Sequence, residues 1–149
     1  MDLSAACLHK SSERLSRYKP LSIQHNILYP CDSLQTAESY DSIAINYVMH
    51  CVPGDFTQKG VAFSHLSALL KEGGVLFGST VLMHSDASVF AKWCNHALNA
   101  LGIFNNHADT VLALKQSLDA HFDQVSIQIR GASVLFVAKH PIPSSIDNI

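Results

Sequence analysis

A chain of 149 residues is one domain's worth of sequence, long enough to bury a core without disulfide support. Apolar residues at 48% against charged residues at 15% fit a buried α/β sheet and exclude a disordered chain. A net charge of −2 leaves no basic footprint for nucleic acid, and no Lys/Arg run or long apolar stretch points to a membrane.

Met1-Asp2-Leu3 begins no signal peptide. Cys7, Cys31, Cys51 and Cys94 lack CxxC spacing, so the expectation is buried, reduced thiols in a cytoplasmic protein. The nine histidines show neither HxxxH nor HxxEH. Cys7-x-His9 and Cys94-x-His96 fall in helical patterns, where positions i and i+2 face different ways, so no metal site is expected.

In chain order, Ser4 is a plausible N-cap for a helix carrying Ala5, Leu8, Leu15 and Tyr18 on one face and ending at Pro20. Residues 21–28 read as a short strand, and 33–39 as a polar connection. Residues 42–48 are apolar and β-branched enough for a buried strand, with Asn46 best placed at its carboxyl end. Tyr47, His50 and Cys51 then fall on the loop before Pro53-Gly54.

A helix is expected over 57–70, striped by Phe63, Leu66 and Leu70 and closed by Gly73-Gly74. Residues 75–82 form a strand apolar on both faces, in which Gly78 marks packing or close backbone approach. Phe90, Trp93, Cys94, Ala97, Leu98 and Leu101 recur at helical spacing as a core stripe, stopped by Gly102. Asp109 would cap a second helix with Val111, Leu114, Leu118 and Phe122 inward. Alternation over 125–130, a Gly131-Ala132 turn and an apolar run over 133–139 make a hairpin, followed by a loose tail over 140–149.

Several of these stretches together resemble the class I S-adenosylmethionine-dependent methyltransferases of small-molecule type. Asp41-Ser42-Ile43 running into Asn46-Tyr47-Val48-Met49-His50 resembles that family's fourth strand and following loop. LLKEGGVLFGST is similar to its turn into the fifth strand, the most specific local match, and the hairpin resembles its antiparallel close. Met1-Asp2-Leu3-Ser4 is similar to the end of its second strand, and 21–28 to its third.

The resemblance implies an α/β fold: a three-layer Rossmann-like methyltransferase sheet over residues 1–139, incomplete at the N-terminus, with a C-terminal antiparallel hairpin. It implies S-adenosylmethionine as cofactor and methyl transfer to a small-molecule acceptor. By the same resemblance Asp2 holds the ribose and Asn26 the adenine edge, while Asn46 and Tyr47 form the crevice floor. The bland reading of Asp2 is a helix-dipole partner, and of Asn26 plain strand polarity. His50 is the first candidate general base and His84 the second, since imidazole titrates near neutral pH. Phe104, Trp93 and Met83 are candidates for an acceptor pocket.

The sequence has no counterpart of the family's first strand, glycine-rich loop and first helix. Gly73-Gly74 follows a helix and precedes a strand, the reverse of a cofactor turn. The rival reading is therefore a non-catalytic remnant whose exposed sheet edges pair with another chain or a second copy of itself. A different hydrolase or nucleotide binder would need a P-loop, GxSxG or HExxH, and none occurs.

Overall fold

The computed structural model describes residues 1–31, 40–84 and 87–142. Its centre is a four-stranded sheet of β1 (Tyr40–Asn46), β2 (Leu70–Val81), β3 (Phe122–Arg130) and β4 (Ser133–Pro141), in the order β1-β2-β4-β3. β1 and β2 run parallel, and β4 enters antiparallel between β2 and β3. The expected hairpin therefore closes the sheet, with Gly131 in the left-handed region at its turn.

Register explains which side chains go inward. Ile45 pairs with Gly78 and Gly78 with Phe136, so these three share one face. Against that face lie α2 (Phe56–Lys59), α3 (Val61–Ser67) and α5 (Val111–Asp119), contributing Phe56, Phe63, Leu66, Leu114 and Leu118 to one core. Phe63 stacks on Phe56 at 6.2 Å and meets Phe136 edge-on at 5.9 Å. The other face carries Phe77, Leu135 and Val137, each about two-fifths exposed.

Among the described residues β1 is thus an edge strand, exposed at most of its positions, where a buried strand was expected. β2 is likewise apolar on both faces but covered on one. The expected strand over 21–28 reduces to one parallel bridge, Gln24 with Asp2. The expected polar connection over 33–39 lies outside the described residues, as does the tail beyond 142.

The first helix, α1 (Ala5–Arg14), is capped as expected by the Ser4 hydroxyl on the Cys7 amide at 3.3 Å. It buries no residue, and Leu15 and Tyr18 continue into an exposed 3₁₀ turn. The expected helix over 57–70 is broken at Gly60. A Cβ there would stand 2.0 Å from Ser117 Oγ and 2.4 Å from the Phe56 carbonyl, so the α2–α3 joint presses directly on α5. Gly73 lies in a bulge of β2, where residues 71–74 loop out between the pairs Tyr40–Leu70 and Ser42–Val75. Of the cysteines expected to be buried, Cys31 is, whereas Cys7 and Cys51 are exposed.

α4 (Val89–Ala100) is capped by Ser88 and keeps only part of the expected core stripe inward: Cys94, Ala97 and Leu98 are half-buried. Asn95 is buried and Asn99 half-buried, while Phe90 and Trp93 are 73% and 66% exposed. Hydrogen bonding decides this orientation, as the next subsection describes.

Gly78 is the tightest point of the sheet. A Cβ would lie 2.0 Å from the Ile45 carbonyl oxygen and 2.7 Å from Phe136 Cζ, and backbone cannot yield cheaply. Gly78→Ala is expected to destabilise the fold by about 3 kcal/mol, read as a lower urea midpoint with an unchanged m-value.

Candidate functional site

The crevice lies where β1 and β2 end together. Asn46 closes β1, and its side-chain oxygen accepts from Ser79 Oγ on β2 at 3.1 Å, which satisfies the amide that interrupted the apolar run. Tyr47 then turns the chain out through a left-handed conformation, φ 54°. Its amide donates to the Ser79 carbonyl at 2.8 Å, and its phenol lies 3.3 Å from Ser133 Oγ on the hairpin. Beside it opens a cavity of about 550 Å³ with Asn46, Tyr47, Ser79, Ser133 and Arg130 as its polar side. Phe77, Leu135 and Val137 make its apolar floor.

Beyond Tyr47 the loop folds inward. Met49, His50 and Val52 are buried, and Cys51 and Val48 are exposed. His50 Nδ1 faces the Val81 amide and the Thr80 hydroxyl, each at 3.4 Å. Because the amide can only donate, Nδ1 accepts, and the neutral ring carries its proton on Nε2. Phe104 meets the ring edge-on at 4.4 Å, and Tyr47 lies 6.1 Å away. Burial, and then the Lys59 ammonium, hold the His50 pKa below the ordinary histidine value.

The second histidine candidate sits differently. His84, half-buried after β2, bonds through Nε2 to the Gly131 carbonyl in the hairpin turn. A carbonyl only accepts, so Nε2 donates, and in the neutral ring Nδ1 is the nitrogen with the lone pair. Gly131 directly follows the cavity-lining Arg130, but the lining includes neither His84 nor His50.

Asp2 pairs with Gln24, two residues before Asn26, in a parallel bridge: the Asp2 amide donates to the Ile23 carbonyl at 3.2 Å and the His25 amide to the Asp2 carbonyl at 3.1 Å. The Asp2 carboxylate is exposed and accepts from the Ser4 amide at 2.8 Å; Asn26 Oδ1 accepts from the Leu28 amide at 3.0 Å. The cavity's lining includes Asn46 and Tyr47 but neither Asp2 nor Asn26. Phe104 joins His50, whereas Trp93 faces away on α4. Among the described residues no group of three or more His, Cys, Asp or Glu could hold a metal ion, and no helix is long and apolar enough to cross a membrane.

A buried polar network beneath the crevice was not foreseen. Asp109, expected to cap α5, turns inward to the Lys59 ammonium at 2.5 Å, and Thr110 caps the helix instead. Both side chains are fully buried, and Asp109 Oδ1 has no hydrogen-bond partner among the described residues. Burial pushes the Asp109 carboxyl up, and Lys59 pulls against that shift. Nearby, Asn106 donates to the Val81 carbonyl at 2.8 Å and to Asn95 Oδ1 at 2.9 Å, and accepts from Asn99 at 2.7 Å. This amide cluster turns the polar side of α4 inward. One signal was present in the sequence: Lys59 lies at helical spacing from Phe56, Ala62, Phe63 and Leu66, on the apolar stripe itself.

A family model described as a methyltransferase domain matches residues 1–76. The chain is 35% identical over 132 residues to the demethylluteothin O-methyltransferase of Streptomyces thioluteus, covering 88% of this chain and 56% of that protein. It is 30% identical to the protein YbcY of Escherichia coli strain K12, covering 93% of this chain and 72% of the other. The solved structure of the N-methyltransferase NodS from Bradyrhizobium japonicum, in complex with S-adenosyl-L-homocysteine, superposes with a TM-score of 0.62 at 17% identity, over 95% of this chain and 65% of that one. The chain spans about half to three-fifths of the length of the first curated relatives it matches.

A histidine held neutral in the fold gives stability that is present above its unfolded pKa of about 6.5 and lost as pH falls toward its lowered folded value. His50, and His121 with its pKa lowered by burial and then by His65, both act in this sense. The melting temperature is expected to fall between pH 7.5 and 5.5. His50→Gln should flatten that slope, whose limit for one proton is about 1.4 kcal/mol per pH unit.

Proposed function

The chain belongs to the class I S-adenosylmethionine-dependent methyltransferase family, and on that premise we propose that it serves methyl transfer to a small organic acceptor. The observation that carries this reading is the Asp2–Gln24 bridge. It sets an exposed acid and, two residues past its partner, the Asn26 amide on adjacent parallel segments. Open α/β sheets bind nucleotides at the carboxyl ends of parallel strands, where an acid takes the ribose hydroxyls.

These residues fit the nucleoside half of the cofactor. Asp2 would bind the ribose through its exposed carboxylate, and Asn26 would meet the adenine edge with its amide group. Asn46 and Tyr47 would form the floor where nucleoside and acceptor portions meet. When bound, S-adenosylmethionine supplies a methyl group already activated on sulfur, so the protein's part is alignment and proton handling.

For proton handling the geometry favours His84 over His50. The His84 Nδ1 lone pair is available to take a proton from an acceptor hydroxyl or acidic carbon, with Nε2 anchored on Gly131. The His50 lone pair is directed at the Val81 amide, and burial disfavours its charged form. His50 then serves as a neutral wedge between Tyr47, Phe104 and the end of β2. The apolar floor of Phe77, Leu135 and Val137 suits an acceptor with hydrocarbon surface. Relatives named for both O- and N-methylation leave the methylated atom open. A reducing, cytoplasmic setting is part of this proposal, on the cysteine spacing in the sequence.

A second reading rests on the uncovered side of the sheet. Among the described residues β1 pairs with β2 alone, and Phe77, Leu135 and Val137 stay exposed, as in a chain that pairs with another chain or a second copy of itself.

Calorimetric titration with S-adenosylhomocysteine separates the two. The methyl-transfer reading expects saturable micromolar binding, weakened about tenfold or more in Asp2→Ala by loss of a charged hydrogen bond. No heat up to millimolar ligand overturns it in favour of the pairing reading. With an acceptor in hand, His84→Gln is expected to lower turnover by about 10²- to 10⁴-fold at unchanged S-adenosylhomocysteine affinity.

A further inference from the structure

Lys59 is the last residue of α2 and has no exposed surface. Its three ammonium hydrogens have three acceptors: the Val52 carbonyl at 3.4 Å, the Asn105 carbonyl at 3.1 Å and Asp109 Oδ2 at 2.5 Å. These acceptors come from the loop after β1 and from the connection between α4 and α5, so one side chain ties two segments distant in sequence.

Asn105 carries the tie onward. Its amide donates to the His50 carbonyl at 2.7 Å, and its side chain donates to the Cys51 carbonyl at 3.0 Å. The loop bearing His50 and the loop bearing Phe104 are therefore strapped together from below, while Asn106 fixes the second loop to the end of β2. Tyr47, whose side chain lines the cavity, is the residue from which the strapped loop starts.

We propose that Lys59, paired with Asp109, is a positioning residue for the crevice, setting where the loop after β1 stands relative to the end of β2. Its functional consequence rests on the methyl-transfer reading; the geometric claim does not. A purely stabilising role is a poor account of the pair, because apolar residues of similar volume commonly replace a buried ion pair without loss. What they cannot replace is the directed donation to two main-chain carbonyls. A small displacement of groups that align a reaction is costly out of proportion to its size.

The test uses amide hydrogen exchange, melting temperature and S-adenosylhomocysteine titration on the wild type and on Lys59→Met/Asp109→Leu. In the wild type the Asn105 amide is expected to be protected like the sheet amides; exchange at the rate of an open loop overturns the proposal without any variant. In the double variant, at a melting temperature close to that of the wild type, Asn105 protection is expected to fall by about 100-fold and ligand affinity by about tenfold. Unchanged Asn105 protection in that variant overturns the proposal and leaves the pair as packing alone. Should the wild type bind no S-adenosylhomocysteine while Asn105 responds as expected, the methyl-transfer reading fails and the positioning role stands.

Discussion

An ammonium group sealed from water has to be met by acceptors on every side, and that requirement at Lys59 organises this molecule. The site is made of loops, which are the least constrained part of an α/β fold. Here they converge because a buried cation draws two carbonyls and a carboxylate to one point. Removing one member of such a pair typically costs about 3–5 kcal/mol, since the remaining charge is stranded. The arrangement is thus a constraint on loop geometry more than a source of net stability.

Much of the frame was legible because it follows from local rules. The Ser4 cap, the hairpin around Gly131 and the alternation along β3 all rest on period and turn chemistry. Gly78 was read as packing or close backbone approach, and both hold, since its missing side chain is the space used by the Ile45 carbonyl and Phe136. The misreadings have one physical source. Periodicity identifies an apolar stripe but not which stripe wins when polar groups also demand burial. On α4, Asn95 and Asn99 had partners in Asn106 and claimed the inner side, so Phe90 and Trp93 were left outside. Likewise Asp109 looked like a cap by position, yet a buried cation 50 residues away outcompeted the helix end.

Where the candidate residues fall in the fold was partly legible, and their hydrogen-bond partners were not. Asp2 and Asn26 were paired by resemblance, and the bridge through Gln24 puts them on neighbouring segments. Asn46 and Tyr47 fell together at the end of β1, as an amide closing an apolar strand should. The sequence put His50 ahead of His84, and the proposed order is the reverse, because it depends on which nitrogen meets a donor and which an acceptor. That information exists only once strands and loops are folded against each other.

The outward side of α4 has a practical consequence for anyone observing this protein. Its single tryptophan, Trp93, stands largely in solvent beside Phe90, with ring centroids 6.3 Å apart. Intrinsic emission will therefore report unfolding poorly, since the indole is already hydrated in the native state. The same fluorophore becomes a sensitive indicator of anything that settles on that helix, because covering it changes its surroundings from water to hydrocarbon.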